Sequence, residues 1–321
     1  MLAKATAIAA VLLLTGPAAA CGNDADDAGA GSLRIYASVT QDTVDAVIAG
    51  FEDANPGVTV DVFRAPTGEV AARIASELRE GGLQADVLWM TDPLSIQQYA
   101  RDGLLRAWTP ANVEAVPEDY RTDTFVGTRV LNLVMVAGDD VEPAPEDWGD
   151  LTGTGGVVAL PDPGFAGSAF GALGFFALDP EFGFDYYSAL AANGAVQVQS
   201  PDDVVVGVAE DLYAVGITLD RSARGAVEDG SPVVMIWPAS GAISMYSPIG
   251  VVEASEAGAA EPFVEYVLGE EAQTAIAATG WEPIRTDVDW PEYGDRRVVD
   301  WDQAFDRQEE LLTEYRSIFG E

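Results

Sequence analysis

Strand-like runs alternate with helical stripes from residue 32 onward, and this alternation restricts the chain to an α/β fold more than any other feature. "SLRIYAS" reads as a strand. Ser38 and Gln41 stand at capping-box spacing, and Val44, Val47, Ile48 and Phe51 then recur on one helical face. "NPG" stops that helix, and "VTVDVF" alternates as a second strand. "PTGE" opens a second helix with Val70, Ile74 and Leu78, closed by Gly81 and Gly82. "ADVLWM" is a buried strand, and "TDP" turns into a third helix ending near Gly103. Repetition of this order implies a parallel sheet with right-handed crossovers.

"RVLNLVMVAG" is a longer apolar strand and marks a crossing into a second lobe. Strands "GGVVAL", "AVQVQS", "LYAVGITLD" and "VVMIWP" follow, with helices from Ser168 and Phe184. "SPIGVVEA" crosses back, "EPFVEYVLGEEAQTAIAATG" gives paired helices, and the acidic end is helical again. The expected division is a first lobe of residues 33–128 plus 243–285, a second lobe of 129–242 and a C-terminal helical tail of 286–321. No internal repeat of fixed period is present.

The 321 residues are enough for two lobes of ordinary size, and 48% hydrophobic residues supply their cores. Sixteen Lys+Arg against 53 Asp+Glu give a net charge of −37, which argues against nucleic-acid binding, since phosphate recognition needs a basic face. The acidity suits either a saline habitat or a GC-rich genome. Histidine is absent and Lys4 is the only lysine. Triads built on His, Ser–Lys dyads, Schiff bases and the usual zinc sites are therefore excluded. No G-x-S-x-G elbow or phosphate-binding P-loop occurs. A two-carboxylate hydrolase survives on composition alone, so the chain is read as a non-enzyme without a cofactor.

Residues 1–20 read as a signal peptide: Lys4, the apolar run "AIAAVLLLTG", then "AAA". "Ala18-Ala19-Ala20-Cys21" resembles a bacterial lipobox, with Ala18 where such boxes prefer Leu. The resemblance implies lipidation of Cys21, the only cysteine, and an extracytoplasmic body held to the membrane by that anchor alone. Cleavage near "AAA" with plain secretion is the alternative. Residues 21–32, rich in Gly and Asp, form a flexible leash.

The order and spacing of "LRIYASVTQDTVDAVIAGFEDANPGVTVDVF", "TGEVAARIASELREGGLQADVLW", "ARDGLL", "LYAVGIT", "GSPVVMIWPASGAI" and "EPFVEYVLGEEAQ" resemble the extracellular solute-binding proteins of ABC importers, nearest the ferric-iron, phosphonate and sugar-phosphate binders. The resemblance implies the two-lobed periplasmic-binding-protein type II fold: α/β, each lobe a doubly wound sheet joined to the other by hinge crossover strands. It further implies a monomer that clamps a small-molecule or ion ligand and delivers it to a permease driven by an ATPase.

Ligands of open α/β sheets lie beyond the carboxyl ends of strands, at lobe interfaces. That rule selects Ser38, Thr40, Thr67, Gly68, Thr91 and Asp92 in the first lobe, and Gly167, Ser168, Thr218, Asp220, Ser240 and Gly241 in the second. Several fall at expected helix N-termini, where free N–H groups favour anions, yet each also reads as an ordinary N-cap. Arg64 and Arg221 are candidates to fork onto a phosphate or carboxylate, or to be salt-bridged on the surface. A small anion such as a phosphonate or sugar phosphate is the first expectation. Trp89, Trp237, Tyr36 and Tyr213 either flank a cleft or fill a core. With Asp92, Asp162 and Asp220 they compose the opposite expectation, a polyamine site. The ferric binders of the family use adjacent tyrosines, but the positions that align with that pair fall near Leu219 and Asp220, and those of its histidine and glutamate near Thr40 and Thr91. The pair Tyr186–Tyr187 lies within an amphipathic helix and reads as core, so no direct metal ligands are assigned, and ferric iron held with a synergistic anion or chelate stands beside the polyamine as an alternative ligand.

Overall fold

The computed structural model describes residues 31–320; the signal segment and Cys21 lie outside the described residues. β1 (Ser32–Ala37), α1 (Gln41–Ala54), β2 (Thr59–Arg64), α2 (Thr67–Glu80), β3 (Val87–Trp89) and α3 (Pro93–Arg101) follow in the expected order. β1 pairs parallel with both β2 and β3. The capping box at Ser38 does not form. Helix α1 starts behind Thr40, and Ser38 Oγ accepts the Thr91 N–H at 2.9 Å. β1 and β3 are neighbours, so the loops leaving their carboxyl ends meet and bond each other.

The second half contains β4 (Val126–Gly138), β5 (Val158–Pro161), α4 (Gly167–Leu178), α5 (Gly183–Ala192), β6 (Val196–Val198), α6 (Pro201–Ala209), β7 (Val215–Leu219), α7 (Asp220–Glu228) and β8 (Val233–Ile236). β9 (Ala242–Val251), α8 (Ala260–Val267), α9 (Glu270–Ala278) and β10 (Glu282–Pro283) return toward β1–β3, and β11 (Arg296–Val298), α10 (Trp301–Asp306) and α11 (Gln308–Phe319) complete the chain. The strands form one mixed sheet in the order β2-β1-β3-β9-β4-β7-β5-β6; β8 and β10 pair with β4, and β11 with β9. The molecule is thus a two-lobed α/β structure. β1–β3 centre one lobe, β5–β8 the other, and the long strands β4 and β9 pass between them. β4 pairs antiparallel with β9 up to Leu133 and with β7 from Leu133 to Ala137.

Helix α4 is buried along nearly its whole length, as its run "GSAFGALGFFAL" demands. Its glycines admit close neighbours: a methyl at Gly171 would meet Met245 at 2.6 Å, and one at Gly174 would meet Ala304 at 3.0 Å. Tyr186 and Tyr187 on α5 pack into this core. Tyr186 donates to the Trp148 carbonyl at 2.9 Å, and burial pushes both phenols above their ordinary range. The C-terminal helices touch both lobes, with Arg101 on α3 paired to Asp306 at 2.7 Å and Tyr187 packed on Tyr315.

The return from α9 to β10 is fixed by one fully buried amide. Gln273 Nε2 donates to the carbonyls of Thr128 and Val267, both at 2.8 Å, and Oε1 accepts the Ile284 N–H at 2.8 Å. Gln273→Leu leaves these three buried backbone groups without partners and should cost about 2–5 kcal/mol. Urea unfolding of the two chains checks this, and a loss under about 1 kcal/mol contradicts it.

Candidate functional site

A cavity of about 360 Å³ lies between the lobes. Its lining comes from loops at the carboxyl ends of strands in both: Ser38, Thr40, Arg64, Thr67 and Thr91 from one, Ser168, Gln199, Ser200, Arg221 and Ser222 from the other. The amino ends of five helices, α1, α2, α4, α6 and α7, border it. Four of their N-cap residues, Thr40, Pro66, Ala166 and Leu219, make no side-chain cap hydrogen bond. Only Ser200 caps its helix, accepting the Asp203 N–H. Each terminus presents the positive end of a helix dipole, worth about 0.3–1 kcal/mol to an anion and up to about 2 kcal/mol when partly buried, although Asp42 takes the Thr43 N–H on α1 and Asp220 the Arg221 N–H on α7.

The chemical centre of the cavity is Arg129, which the sequence reading passed over. It is 1% exposed. Its Nε donates to Ser247 Oγ at 3.1 Å, and its Nη1 donates to Thr40 Oγ1 at 3.2 Å and Thr43 Oγ1 at 3.3 Å. The guanidinium carbon lies 4.0 Å from the centre of the Trp281 ring, and Trp281 Nε1 donates to Thr40 Oγ1 at 3.1 Å. Among the described residues, every contact of this cation is to a hydroxyl or a ring, and none is an ion pair with a carboxylate. Desolvation lowers its pKa to about 9; Asp42 works against that shift, and Arg221 and Arg64 add to it.

Arg64 donates to the Val39 carbonyl at 3.0 Å, and Arg221 pairs with Asp42 while reaching the Thr279 carbonyl. Three arginines therefore surround one cavity in a chain of net charge −37. A buried, unpaired cation is held at a cost of several kcal/mol, which an incoming anion offsets.

Of the residues chosen from sequence, Ser38, Thr40, Thr67, Thr91, Gly167 and Ser168 line the cavity, as do Arg64 and Arg221. The others do not. Gly68 packs against Gly164 across the wall. Asp92 is fully buried and caps α3, accepting Ser95 N–H at 2.9 Å and Ser95 Oγ–H at 2.7 Å. Thr218 is buried in β7 and donates to the Pro201 carbonyl at 2.8 Å, while Asp220 pairs with Arg224 at 3.3 Å. Ser240 and Gly241 are elsewhere because β8 lies on the opposite edge of β4 from β7. Ser240 Oγ donates to Asp147, and the Gly241 carbonyl accepts Trp148 Nε1. Trp89, Trp237, Tyr36 and Tyr213 also stay out of the cavity, and Asp162 accepts the Gly164 N–H at 2.7 Å.

Two lobes that share long strands around a polar cavity are the architecture of a ligand-clamping binding protein. The chain belongs to the bacterial extracellular solute-binding protein family, whose model matches residues 33–282. A sulfate-binding protein from Synechocystis is 23% identical over 285 residues, covering 83% of this chain and 77% of its own. Among solved structures, the periplasmic binding protein AfuA of Actinobacillus pleuropneumoniae, with fructose-6-phosphate bound, is similar at a TM-score of 0.78 and 21% identity, covering 90% of this chain and 99% of its own. Iron-bound HitA of Pseudomonas aeruginosa gives a TM-score of 0.79 at 18% identity, with the same coverage. These establish the type II periplasmic-binding fold. Among the described residues no helix is long and apolar enough to cross a membrane, and no group of three or more His, Cys, Asp or Glu is placed to hold a metal.

Two outcomes follow for the ligand-free protein. Arg129→Met removes a buried unpaired charge, so it should raise unfolding stability by about 1 kcal/mol or more while abolishing stabilisation by any anion. Denaturant unfolding with and without phosphate reads both effects, and an unchanged anion response contradicts the assignment. Desolvation in turn raises the Asp92 pKa from 3.8 to about 6, against the bonds from Ser95. A carboxyl raised on folding contributes its stability below pH 4 and loses it as pH climbs through 6. Asp92→Asn should match the wild type near pH 4 and exceed it by up to about 3 kcal/mol at pH 7. A difference that stays constant with pH contradicts the shift.

Proposed function

We propose that this chain is the solute-binding component of an ABC importer and that its ligand is a small organic anion, such as a sugar phosphate or phosphonate. The observation that carries the reading is Arg129, buried without a carboxylate partner at a cavity bordered by uncapped helix N-termini. Size favours an organic anion over a bare oxyanion, since about 360 Å³ falls in the range of pockets that hold small organic molecules, roughly 300–1,000 Å³. Composition supports the same choice. Leu131, Phe165, Leu219 and Trp281 add apolar wall, and Ser168, Gln199, Ser200 and Ser222 add groups suited to ligand hydroxyls.

Direct ferric binding is not favoured, because among the described residues the lining holds no tyrosine and its only carboxylates are Asp202 and Asp203. Asp203 accepts from Ser200 in the α6 cap and Asp202 accepts from Ser222, which leaves a hydrolase without a free pair of acids. Three arginines repel a polyamine. In this reading, Cys21 carries the lipid anchor, residues 33–128 plus 243–285 and residues 129–242 are the two lobes, and the closed monomer docks on a permease with its ATPase.

A thermal-shift panel in high salt tests the ligand class with glucose 6-phosphate, 2-aminoethylphosphonate, sulfate, ferric chloride with and without citrate, and spermidine. A ligand at about a hundred times its dissociation constant should stabilise by roughly 2.7 kcal/mol, a rise of a few degrees. A shift with a phosphate ester or phosphonate, absent in Arg129→Met, is expected. A shift with bare iron or spermidine alone overturns the anion assignment.

A further inference from the structure

The geometry points to Gly68 as a closure-determining residue: its missing side chain lets the first turn of α2 seat against the 164–167 segment of the other lobe, and that seating sets the affinity for ligand. This deepens the reading of the cavity as an anion clamp and rests on it.

A methyl group at Gly68 would lie 2.6 Å from the Gly164 carbonyl oxygen and 3.8 Å from the Phe165 Cα. Real Cβ atoms do not approach a backbone oxygen that closely, and a backbone oxygen, unlike the end of a long side chain, has no rotamer with which to give way. The contact is also tight next to it. A methyl at Gly167 would meet Asp92 Oδ2 at 2.1 Å and Thr67 Oγ1 at 2.8 Å. Thr67 begins α2 in one lobe; Phe165, Ala166 and Gly167 lead into α4 in the other; all line the cavity. The α2–α4 junction is therefore one wall of the cavity, sealed by backbone against backbone. Glycine serves here by permitting close approach, and no positive φ is involved at Gly68.

Position separates closure from folding. Gly68 is the second residue of α2, so alanine there is the better helix former and strains nothing within its own lobe. The added methyl meets residues 164–165 in the arrangement the structure shows, which we take as the closed one. If closure is the binding-competent state, lowering its population by a given factor weakens apparent affinity by that factor.

The test uses the full chain carrying Cys21→Ser, with spin labels on Ala75→Cys in α2 and Glu210→Cys in the other lobe, both exposed positions. Inter-label distances are measured without ligand, with inorganic phosphate and with glucose 6-phosphate, in chains with Gly68, Gly68→Ala and Gly68→Leu. The expected result is a short-distance population that grows with glucose 6-phosphate in the Gly68 chain. It should need roughly ten times more ligand in Gly68→Ala and be lost in Gly68→Leu, while the ligand-free melting temperature of Gly68→Ala is equal or higher. Equal closure of the Gly68 and Gly68→Ala chains at the same ligand concentrations overturns the role of Gly68 and leaves the clamp standing. A lower ligand-free melting temperature in Gly68→Ala assigns the residue to folding and overturns the proposal. A single distance in the Gly68 chain, unmoved by either compound, overturns the clamp and the proposal with it.

Discussion

The antiparallel pairing of β4 with β9 is the constraint on which the rest of the structure depends. One strand of thirteen residues pairs first with β9 and then, from Leu133, with β7, so a single extended segment serves both lobes. Relative motion of the lobes has to be absorbed as twist or bend in this pair. Arg129 stands on the shared stretch, opposite Ser247 in the β4–β9 register and beside Pro283 of β10. Its charge is thus carried by the element common to both lobes. Helix N-termini approach it from either side.

Electrostatics in this protein is local. The chain carries −37, yet the cavity collects Arg64, Arg129 and Arg221. Charges more than about 10 Å away across water are largely screened at 0.1 M salt, so the acidic surface does little to the field inside a partly enclosed cleft. What acts there is the short-range set: the lining carboxylates Asp202 and Asp203, Asp42 on Arg221, and three hydroxyls on Arg129. Hydroxyls satisfy donors without neutralising charge, so the cation keeps its full charge beside the cavity.

Much of this was legible in the sequence. The strand–helix order follows from apolar period, and the rule that ligands lie beyond strand ends placed Ser38, Thr40, Thr67, Thr91, Gly167 and Ser168 at the cavity. It failed where sheet order decides which loops face inward. Ser240 and Gly241 follow a strand like the others, but β8 joins the far edge of β4, and nothing in "VVMIWP" shows which edge a strand will take. Arg129 escaped for a different reason. It opens the apolar run "RVLNLVMVAG" and looks like a strand boundary. The usable signal was its register, because Arg129 and Leu131 share one face of β4 and both reach the cavity.

The ambiguity between cap and ligand residue resolves in a direction opposite to the usual search. Serine, threonine and aspartate at a helix start suggest a polar site, yet a side chain that caps its own helix has occupied the donors a ligand would need. Asp92 and Ser200 do this for α3 and α6. The termini of α2, α4 and α7 instead begin behind Pro66, Ala166 and Leu219, residues with no side-chain acceptor, and α1 begins behind Thr40, whose hydroxyl serves Arg129 and Trp281. In water such helices lose about 1 kcal/mol each relative to capped ones. Four such termini meet at one cavity; on α1 the Thr43 N–H is taken by Asp42 and on α7 the Arg221 N–H by Asp220, so the free donors are concentrated at α2 and α4. Three of the five helices that border the cavity, α2, α4 and α7, thus start behind residues whose side chains cannot cap, a mark that is readable in sequence once the helix start is known.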